Sequence, residues 1–439
     1  MAAPSTSASL ADWLAYLEQV HPKAIALGLD RVRDVGARMG LAFRCPVIIV
    51  GGTNGKGSTV AMLERILHCA GYRVACYSSP HLLRFNERVR IACKEANDGE
   101  LVAALAAVEA ARGATLLTYF EFSTLAAMHL FIAADVDVAV LEVGLGGRLD
   151  AVNAFDPDCA VLTNVALDHQ DYLGSTREEI GREKAGIFRA GKPAICADPD
   201  PPASVLGAAE TMGADLRRIG RDFGFTAASL HWDWWGRDGK RHGLAFPALR
   251  GTNQIVNAAT ALAALESLSA RLPVGMQEIR DGLATASLAG RFQVLPGRPA
   301  IVLDVAHNPH AAAVLAENLD RQGYFPHTIA VFGMLADKDV AGVVQALRHR
   351  IDSWHCASLP GARGSSAGEL VARLAAEGVT QVRAHADVAA AFDRARVEAA
   401  ENDRIIAFGS FLTVADVMKT LTLTPTHDAR TPQTLKHGR

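Results

Sequence analysis

The sequence predicts a two-domain α/β protein built on largely parallel sheets. Its 439 residues are too many for one hydrophobic core. From about Leu10 to Ala289, helical segments alternate with short β-branched runs, and the alternation resumes after Gly290. Strands separated by helices pair in parallel, because each crossover returns the chain to the same sheet edge. We therefore expect one domain over residues 1–289 and a smaller one over 290–439.

The first domain divides into apolar strands and amphipathic helices in regular order. The predicted strands are Pro46–Val50, Arg73–Tyr77, Val136–Glu142, Cys159–Thr163 and Pro193–Cys196. The predicted helices are Ala11–Val20, Ser58–Gly71, Gly99–Arg112, Phe122–Ala134, Thr176–Arg189 and Asn253–Leu268. A tryptophan-rich stretch, Phe223–Leu249, interrupts this order around an Asp238-Gly239 turn and predicts a small β-hairpin insert. Its tryptophans could form a ligand surface, but packing is the preferred interpretation.

The second domain is predicted to be Rossmann-like, without a phosphate loop of its own. Its expected strands are Ala300–Val305, Thr328–Phe332, Ser353–Ser358 and Arg404–Phe408. A hinge is expected at Gly290-Arg291-Phe292. The chain after about Thr424 is polar and ends in basic residues, so we predict a disordered tail.

Composition excludes several classes of protein. The net charge is −3 and the chain has no basic cluster, so a nucleic-acid partner is unsupported. The apolar runs are shorter than a membrane span, and the N-terminus lacks the features of a signal peptide. Seven cysteines without a CxxC pair indicate reduced thiols. We expect a cytoplasmic protein with no membrane partner.

The stretch from Val47 to Leu67 has the pattern of a phosphate-binding loop. A β-branched run ends at two glycines, and Gly55-Lys56-Gly57 precedes an amphipathic helix. Glycines let backbone N–H groups approach phosphate, the lysine reaches the outer phosphates, and Ser58 suits Mg²⁺. The spacing departs from GxxxxGK[ST], because Val50 replaces the first glycine and Gly57 displaces the hydroxyl. A chance glycine-rich turn is the alternative; we predict a P-loop ATPase-type domain that binds a nucleoside triphosphate.

Polar residues follow three further predicted strands, where ligands bind in open α/β sheets. They are Ser79, Glu142 and His169. Taken alone, Ser79 could belong to a capped turn, and His169 could be a structural histidine. Together with Ser58 they form an oxygen-rich set with one imidazole, which suits Mg²⁺ or Mn²⁺ better than Zn²⁺.

Two further segments allow a structural and a functional interpretation. Lys184 lies in a charged helix that, on its local pattern, is a solvated helix face. Asp304 could accept a hydrogen bond from a ribose or amine, and His307 could contact phosphate. The alternative for this motif is helix capping by Asn308 before Pro309.

These motifs, in this order, resemble the folylpolyglutamate synthase family, and most closely its bacterial bifunctional dihydrofolate synthase/folylpolyglutamate synthases. The resemblance rests on GTNGKGS (52–58), SSPHL (78–82), EVGLGGRLDAVN (142–153), LDH (167–169), REKAGIFR (182–189), GRFQ (290–293) and DVAHNPHA (304–311). It covers about Leu10 to Thr420. The wider relatives are the muramyl peptide ligases of the Mur ligase superfamily, which form amide bonds with ATP.

The resemblance implies roles for particular residues. The ATP-binding set would be Thr53, Asn54, Gly55, Lys56, Gly57, Ser58, Asn257, Arg291, Asp304 and His307. Two Mg²⁺ ions would bind Ser58, Ser79, Glu142 and His169, and Lys184 would be carbamylated. Lys56, His169 and Lys184 would be the catalytic residues. The pterin region would be Ser78, Thr118, Tyr119, Phe120, Glu121, Leu149, Asp150 and Ala151.

The implied activity is ATP-dependent ligation of L-glutamate in folate biosynthesis and one-carbon metabolism, by a monomer. The enzyme would join glutamate to 7,8-dihydropteroate and to the glutamate tail of reduced folates, in each case through an acyl-phosphate intermediate. The alternatives are a monofunctional folylpolyglutamate synthase, a muramyl-type ligase, a P-loop GTPase or kinase, and a non-enzymatic nucleotide-binding protein. The displaced Ser58 and the absence of an NKxD motif argue against the GTPase.

Overall fold

The computed structural model describes residues 3–23 and 25–421, and it has the predicted α/β class with two largely parallel sheets. The predicted tail after about Thr424 lies outside the described residues. The strands are β1 Val47–Gly51, β2 Val74–Tyr77, β3 Val89–Ile91, β4 Lys94–Glu95, β5 Val138–Glu142, β6 Cys159–Leu162, β7 Pro193–Cys196, β8 Asp215–Arg218, β9 Gly224–Ala227, β10 Trp232–Trp235, β11 Lys240–Leu244, β12 Gln293–Leu295, β13 Ala300–Leu303, β14 Thr328–Phe332, β15 Ser353–Ala357, β16 Val382–His385 and β17 Arg404–Phe408. The α-helices are α1 Leu10–Val20, α2 Asp30–Arg38, α3 Lys56–Cys69, α4 Asp98–Arg112, α5 Tyr119–Ala133, α6 Gln170–Leu173, α7 Arg177–Ala185, α8 Ala203–Met212, α9 Gln254–Ser267, α10 Met276–Thr285, α11 Pro309–Arg321, α12 Val340–Leu347, α13 Ala367–Ala376, α14 Val388–Glu398 and α15 Phe411–Thr420.

The first sheet has eight strands in the order β4-β3-β2-β5-β1-β6-β7-β8. The five pairs that join β2, β5, β1, β6, β7 and β8 are parallel, and the two pairs at one edge, β2 with β3 and β3 with β4, are antiparallel. Every residue of β1 and β5 is buried. One face packs on α1, α2, α4, α5, α7 and α8, and the other on α3, α9 and α10. Cover on both faces explains why these strands are continuous apolar runs without alternation.

Helix starts in this domain are fixed by side-chain caps. Thr118 accepts a hydrogen bond from the Glu121 backbone, and the Glu121 carboxylate accepts from the Thr118 backbone. Asn97 and Glu100 form the same reciprocal pair at α4. Each box satisfies two backbone N–H groups that a helix otherwise leaves unpaired.

The tryptophan-rich insert is a three-stranded antiparallel sheet, β11-β10-β9, with one more strand than the predicted hairpin. Trp232 and Trp234 are buried, and their indole N–H groups donate to the carbonyls of Ala245 and Ala259. The preferred packing interpretation is therefore confirmed for these two side chains. Burial with a satisfied N–H anchors the insert on α9.

The second sheet has six strands in the order β12-β13-β17-β14-β15-β16. All its pairs are parallel except β12 with β13. Helices α11, α12 and α13 cover one face, and α14 and α15 cover the other. The chain passes from α10 on the first sheet to β12 of the second across residues 286–292.

The sequence interpretation missed the edge strands and four helices of the first domain, α2, α6, α8 and α10. The strands β3, β4, β8, β12 and β16 have two to four residues, too short for a period to appear. The predicted helix Thr176–Arg189 ends at Ala185, before Gly186. All seven cysteines carry free thiols, as predicted. Across the described ranges, no helix has the length and apolar character needed to cross a membrane.

Candidate active site

A cavity of about 680 Å³ lies between the carboxyl ends of the two sheets. Its lining includes every residue of the predicted ATP and metal sets, from both halves of the chain. The cavity has the size of a typical ligand site. Since strand ends of one parallel sheet share an edge, side chains far apart in sequence meet here.

The loop between β1 and α3 is held rigidly by the segment after β6. The backbone N–H groups of Thr53 and Asn54 donate to the carbonyl and side-chain oxygens of Asn164, and Thr163 Oγ1 donates to the Asn54 carbonyl at 2.6 Å. Gly55 has φ +85°, and a Cβ there would lie 2.7 Å from Asn257 Oδ1. Glycine is therefore required both by the backbone angle and by the approach of α9.

Two lysines converge on this loop. Lys56 Nζ donates to the carbonyls of Gly52 and Thr53, both at 3.1 Å, and Lys184 Nζ donates to the Gly52 carbonyl at 2.9 Å. Burial, together with the charge of Lys56, lowers the pKa of Lys184 to about 7. Burial also lowers the pKa of Lys56, although Glu142 and Asp168 oppose that shift. Two ammonium groups, Lys184 buried and Lys56 partly buried, beside glycine-rich backbone favour an anionic ligand.

Glu142 is the last residue of β5; it is 4% exposed and lines the cavity. It accepts a hydrogen bond from the Ser79 backbone at 3.3 Å. Burial raises the pKa of Glu142, and the charges of Lys56 and Arg291 oppose the rise. A buried carboxylate is stable only beside positive charge, so its surroundings suit a cation or a cationic side chain.

The predicted metal set fits a hard divalent ion. Glu142 and Ser58 are buried, and Ser79 and His169 line the same cavity. Among residues 3–23 and 25–421, no three His, Cys, Asp or Glu side chains cluster as a ready metal site. That agrees with the set itself, which has one carboxylate and one imidazole and takes its other donors from serine hydroxyls. Such oxygen-rich coordination, completed by water and phosphate, suits Mg²⁺.

His169 presents a neutral imidazole to the cavity. Its backbone has φ +52°, an uncommon conformation for a residue other than glycine, and its N–H donates to Asp168 Oδ1 at 2.8 Å. Burial lowers the pKa of His169 to about 4; Asp168 opposes the shift, and Lys338 adds to it. A neutral ring can ligate a metal ion or accept a hydrogen bond at ordinary pH.

Asp168 joins the two halves of the molecule. Lys338 Nζ donates to its Oδ1, Asn308 Nδ2 donates to Oδ2 at 3.2 Å, and His307 Nε2 lies 3.5 Å from Oδ2. Burial alone would raise the pKa of Asp168, but the hydrogen bond from His307 and the nearby positive groups hold it well below its usual range. We name this group, Asp168, Lys338, His307 and Asn308, the cross-domain cluster.

A second link between the halves is a reciprocal amide pair. Asn54 Nδ2 donates to Asn308 Oδ1 at 3.3 Å, and Asn308 Nδ2 donates to Asn54 Oδ1 at 3.0 Å. Asn308 also caps α11 by accepting from the Ala311 backbone. The capping interpretation of this motif is therefore confirmed, and the contacts of Asp304 and His307 with a nucleotide stay a prediction.

The predicted nucleotide residues after the hinge lie opposite the phosphate loop. Arg291 stacks over the ring of Phe411 at 5.1 Å. Asp304 accepts hydrogen bonds from the backbones of Phe292 and Ala306, both at 2.8 Å. Burial raises the pKa of Asp304 despite those bonds. On the other wall, Asn257 accompanies Gln254 on α9, with its Nδ2 donating to Gln254 Oε1.

The predicted pterin residues lie beside the cavity, and none of them is among the residues that line it. Thr118 and Glu121 form the cap of α5, and Glu121 also pairs with Arg31. Phe120 packs against Gly144, where an added Cβ would lie 2.6 Å from its ring. The Asp150 carboxylate accepts hydrogen bonds from the backbone N–H groups of Gly144, Leu145 and Val152. Ser78 Oγ accepts a hydrogen bond from Arg90. The Leu149 carbonyl accepts one from the Gly28 N–H group.

The sequence interpretation missed several polar residues of the cavity. Asp168 lies in the LDH motif (167–169), where only His169 was assigned a role, and Lys338 lies in none of the motifs described above. Neither has a local signal for a cross-domain ion pair, because their partners are about 170 residues away in sequence. His81 and Arg88 also line the cavity. His81 lies within the SSPHL motif (78–82), of which only the serines were assigned a role, and Arg88 lies six residues after it.

Comparison with known proteins gives matches over nearly the whole chain. The description "Mur ligase middle domain" matches residues 50–265, and "Mur ligase, glutamate ligase domain" matches residues 290–411. The dihydrofolate synthase/folylpolyglutamate synthase of Escherichia coli (strain K12) is 46% identical over 419 residues, covering 95% of this chain and 97% of the relative.

Solved structures agree with these matches. Escherichia coli FolC in complex with DHPP and ADP has a TM-score of 0.91 and 45% identity, covering 95% of this chain and 99% of that one. A bifunctional folylpolyglutamate synthase/dihydrofolate synthase with Mn, AMPPNP and L-glutamate bound has a TM-score of 0.89 and 47% identity, covering 96% and 100%. Fold and sequence therefore agree along both halves of the chain.

Proposed function

The chain belongs to the dihydrofolate synthase/folylpolyglutamate synthase family of Mur ligases, and from that premise we propose what its site does. It is an ATP-dependent ligase that joins L-glutamate to folates. In one reaction the acceptor is 7,8-dihydropteroate, and in the other it is the glutamate tail of a reduced folate. ATP and a divalent cation, Mg²⁺ or Mn²⁺, are required.

One observation carries this proposal: the phosphate loop faces Arg291 and Asp304 across a single cavity that also holds Glu142 and His169. The reaction has two steps. A substrate carboxylate attacks the γ-phosphorus of ATP and releases ADP, which gives an acyl phosphate. The amine of L-glutamate then attacks the acyl carbon and expels phosphate, forming the amide.

Both reactants of the first step are anionic, so the barrier is largely electrostatic. We assign Lys56 to the transferring phosphoryl group, because its ammonium lies on the loop that would hold the phosphates. Ser58, Ser79, Glu142 and His169 would hold the metal ions. Bound there, the metal supplies charge neutralisation at the phosphates.

Lys184 is proposed to be carbamylated by CO₂. Its amine is buried beside the phosphate loop, and a pKa of about 7 leaves much of it neutral at physiological pH. Only the neutral amine reacts with CO₂. The nitrogen forms a bond to the carbon of CO₂ and one N–H proton is released to solvent, so the product is a carbamate anion. The anion relieves the repulsion between Lys184 and Lys56 and adds an oxygen ligand toward a cation.

The second half of the chain is proposed to complete and close the site. Asn257, Arg291, Asp304 and His307 would contact ATP, with closure about Gly290 between domains 1–289 and 290–439. Closure excludes water, which would otherwise hydrolyse the acyl phosphate. We propose that the pterin lies against Thr118–Glu121 and Leu149–Ala151, and that the protein works in the cytoplasm as a monomer without a nucleic-acid or membrane partner.

The test is incorporation of labelled L-glutamate, with ATP and Mg²⁺, onto 7,8-dihydropteroate and separately onto tetrahydrofolate. We expect product with both acceptors. Product with tetrahydrofolate alone would remove the dihydrofolate synthase activity and the pterin assignment. No product with either acceptor would contradict the proposed function.

A further inference from the structure

Arg88 is a buried cation on the cavity wall that the mechanism above leaves unused. It is 9% exposed and lines the cavity next to Ser79 and His81. Among the described residues, no carboxylate lies within ion-pair distance of its guanidinium. A buried charge is costly unless it is paired, so this arrangement calls for an anionic ligand.

The orientation of Arg88 is fixed by three neighbours. Its Nε donates to His81 Nδ1 at 2.8 Å, which leaves the imidazole proton on Nε2. Its guanidinium carbon lies 5.6 Å from the ring centroids of both Phe85 and Tyr119, which meet edge to face. No acceptor within the described chain bonds to its Nη1 or Nη2. The two Nη groups form the planar edge that binds a carboxylate bidentately.

Other cations of the cavity have partners or are hydrated. Lys338 pairs with Asp168, and Arg363 pairs with Asp337. Lys56 and Lys184 donate to loop carbonyls. Arg250 is exposed to solvent. Arg291 is partly buried, donates from Nη1 to the Gly290 carbonyl and is assigned to ATP above. Arg88 differs from these side chains because the residue is buried while both of its Nη groups lack a partner among the described residues.

The position of Arg88 indicates which substrate supplies the anion. Tyr119, on which it stacks, belongs to the proposed pterin region, while Ser79 belongs to the proposed metal set. Arg88 thus lies between the pterin and the reacting end of the acceptor. A folate acceptor ends in glutamate, whose γ-carboxylate must reach the phosphoryl group, and its α-carboxylate is left to be bound nearby. Dihydropteroate has one carboxylate, which reacts.

We propose that Arg88 binds the α-carboxylate of the terminal glutamate of a folate acceptor, and so determines specificity in the polyglutamylation reaction. This inference rests on the proposed function. Arg88 touches the acceptor but does not touch the reacting γ-carboxylate. Its loss therefore weakens binding of folate acceptors more than binding of dihydropteroate.

The test compares Arg88→Met and Arg88→Lys with the wild-type enzyme in both reactions. The matched control is Arg84→Gln, which removes a cation of the same segment that pairs with Glu95 outside the cavity. We expect Arg88→Met to raise KM for tetrahydrofolate by about 10- to 100-fold, with a much smaller rise for dihydropteroate. Arg88→Lys should restore only part of the loss, because an ammonium lacks the planar fork.

A modified acceptor separates ligand recognition from damage to the fold. In this acceptor the α-carboxylate of the tetrahydrofolate glutamate is a primary amide. The wild-type enzyme should discriminate against it by a similar factor, and Arg88→Met should use the acid and the amide about equally.

The inference would be overturned if Arg88→Met raised KM for L-glutamate in place of KM for tetrahydrofolate, or if this variant still discriminated against the amide. If Arg88→Met loses both reactions while the wild type still rejects the amide, the binding of tetrahydrofolate and of its α-amide to the variant and to the wild type is measured by calorimetry. Equal weakening of acid and amide there would also overturn it. Failure of the wild-type enzyme with both acceptors would contradict the proposed function instead.

Discussion

Replacing Lys338 by methionine and Asp168 by asparagine, singly and together, measures the ion pair that joins the two sheets. Both side chains are 7% exposed, so solvent screens the pair weakly. Opposite unit charges at the 2.5 Å between Lys338 Nζ and Asp168 Oδ1 attract by roughly 7 kcal/mol at an effective dielectric constant near 20. Desolvation of both charges offsets part of this attraction.

The partners that remain set the size of the expected loss. Without Lys338, Asp168 still accepts from Asn308 at 3.2 Å and still lies 3.5 Å from His307. We therefore expect a coupling energy of about 2 kcal/mol between the two positions, which corresponds to about a 30-fold change in kcat/KM. Each single variant should lose about that factor, and the double variant should be no worse than the weaker single variant.

The assay is kcat/KM for ATP-dependent glutamate incorporation, with far-UV circular dichroism and urea unfolding as controls for folding. Glu210→Gln, at an exposed position of α8, is a matched surface control for a carboxylate change in the same half of the chain as Asp168. Losses that multiply in the double variant, to about 1,000-fold, would show that the residues act independently and would refute the proposed linkage.

Three further outcomes follow from the phosphate loop and its lysines. Lys56→Ala should abolish turnover while leaving thermal unfolding cooperative; retained turnover would remove Lys56 from the mechanism. Gly55→Ala should raise KM for ATP by about tenfold or more, because the new methyl group meets Asn257 in a backbone conformation with φ +85°, and an unchanged KM would contradict that view of the loop. Because a pKa of about 7 makes Lys184 mostly neutral above that pH, ¹³C NMR with labelled bicarbonate should show a carbamate signal that grows from pH 6 to pH 8 and is missing in Lys184→Met; equal signals at both pH values would contradict carbamylation.

The regular core of the fold could be predicted from the sequence, because a strand buried on both faces is a continuous run of apolar residues. The strands β1, β5 and β14 are continuous apolar runs, and their predicted positions agree with the structure to within two residues. Short edge strands have no such run of apolar residues. β16 has four residues, none of them buried, and its pairing with β15 depends on tertiary contacts that no local pattern contains.

The candidate site divides in the same way. Gly55 and Lys56 belong to a contiguous motif whose chemistry can be inferred from a few neighbouring residues. Lys338 contacts Asp168 only after the two sheets have come together, so its role has no local signal. Arg88 is more difficult to predict from sequence. It is identified by having no partner for its two Nη groups among the described residues, and only the three-dimensional structure shows this.

The reciprocal pair between Asn54 and Asn308 has a consequence for the chemical lifetime of the enzyme. Asn54 is followed by Gly55, and an asparagine before glycine is the sequence most prone to deamidation, in which the next backbone nitrogen attacks the side-chain amide. Hydrogen bonds to Asn308 and His310 fix that amide on the opposite half of the chain. Opening of the two halves would release it. Deamidation puts a carboxylate in the loop that receives phosphate. A preparation stored without nucleotide would therefore lose affinity for ATP as it ages.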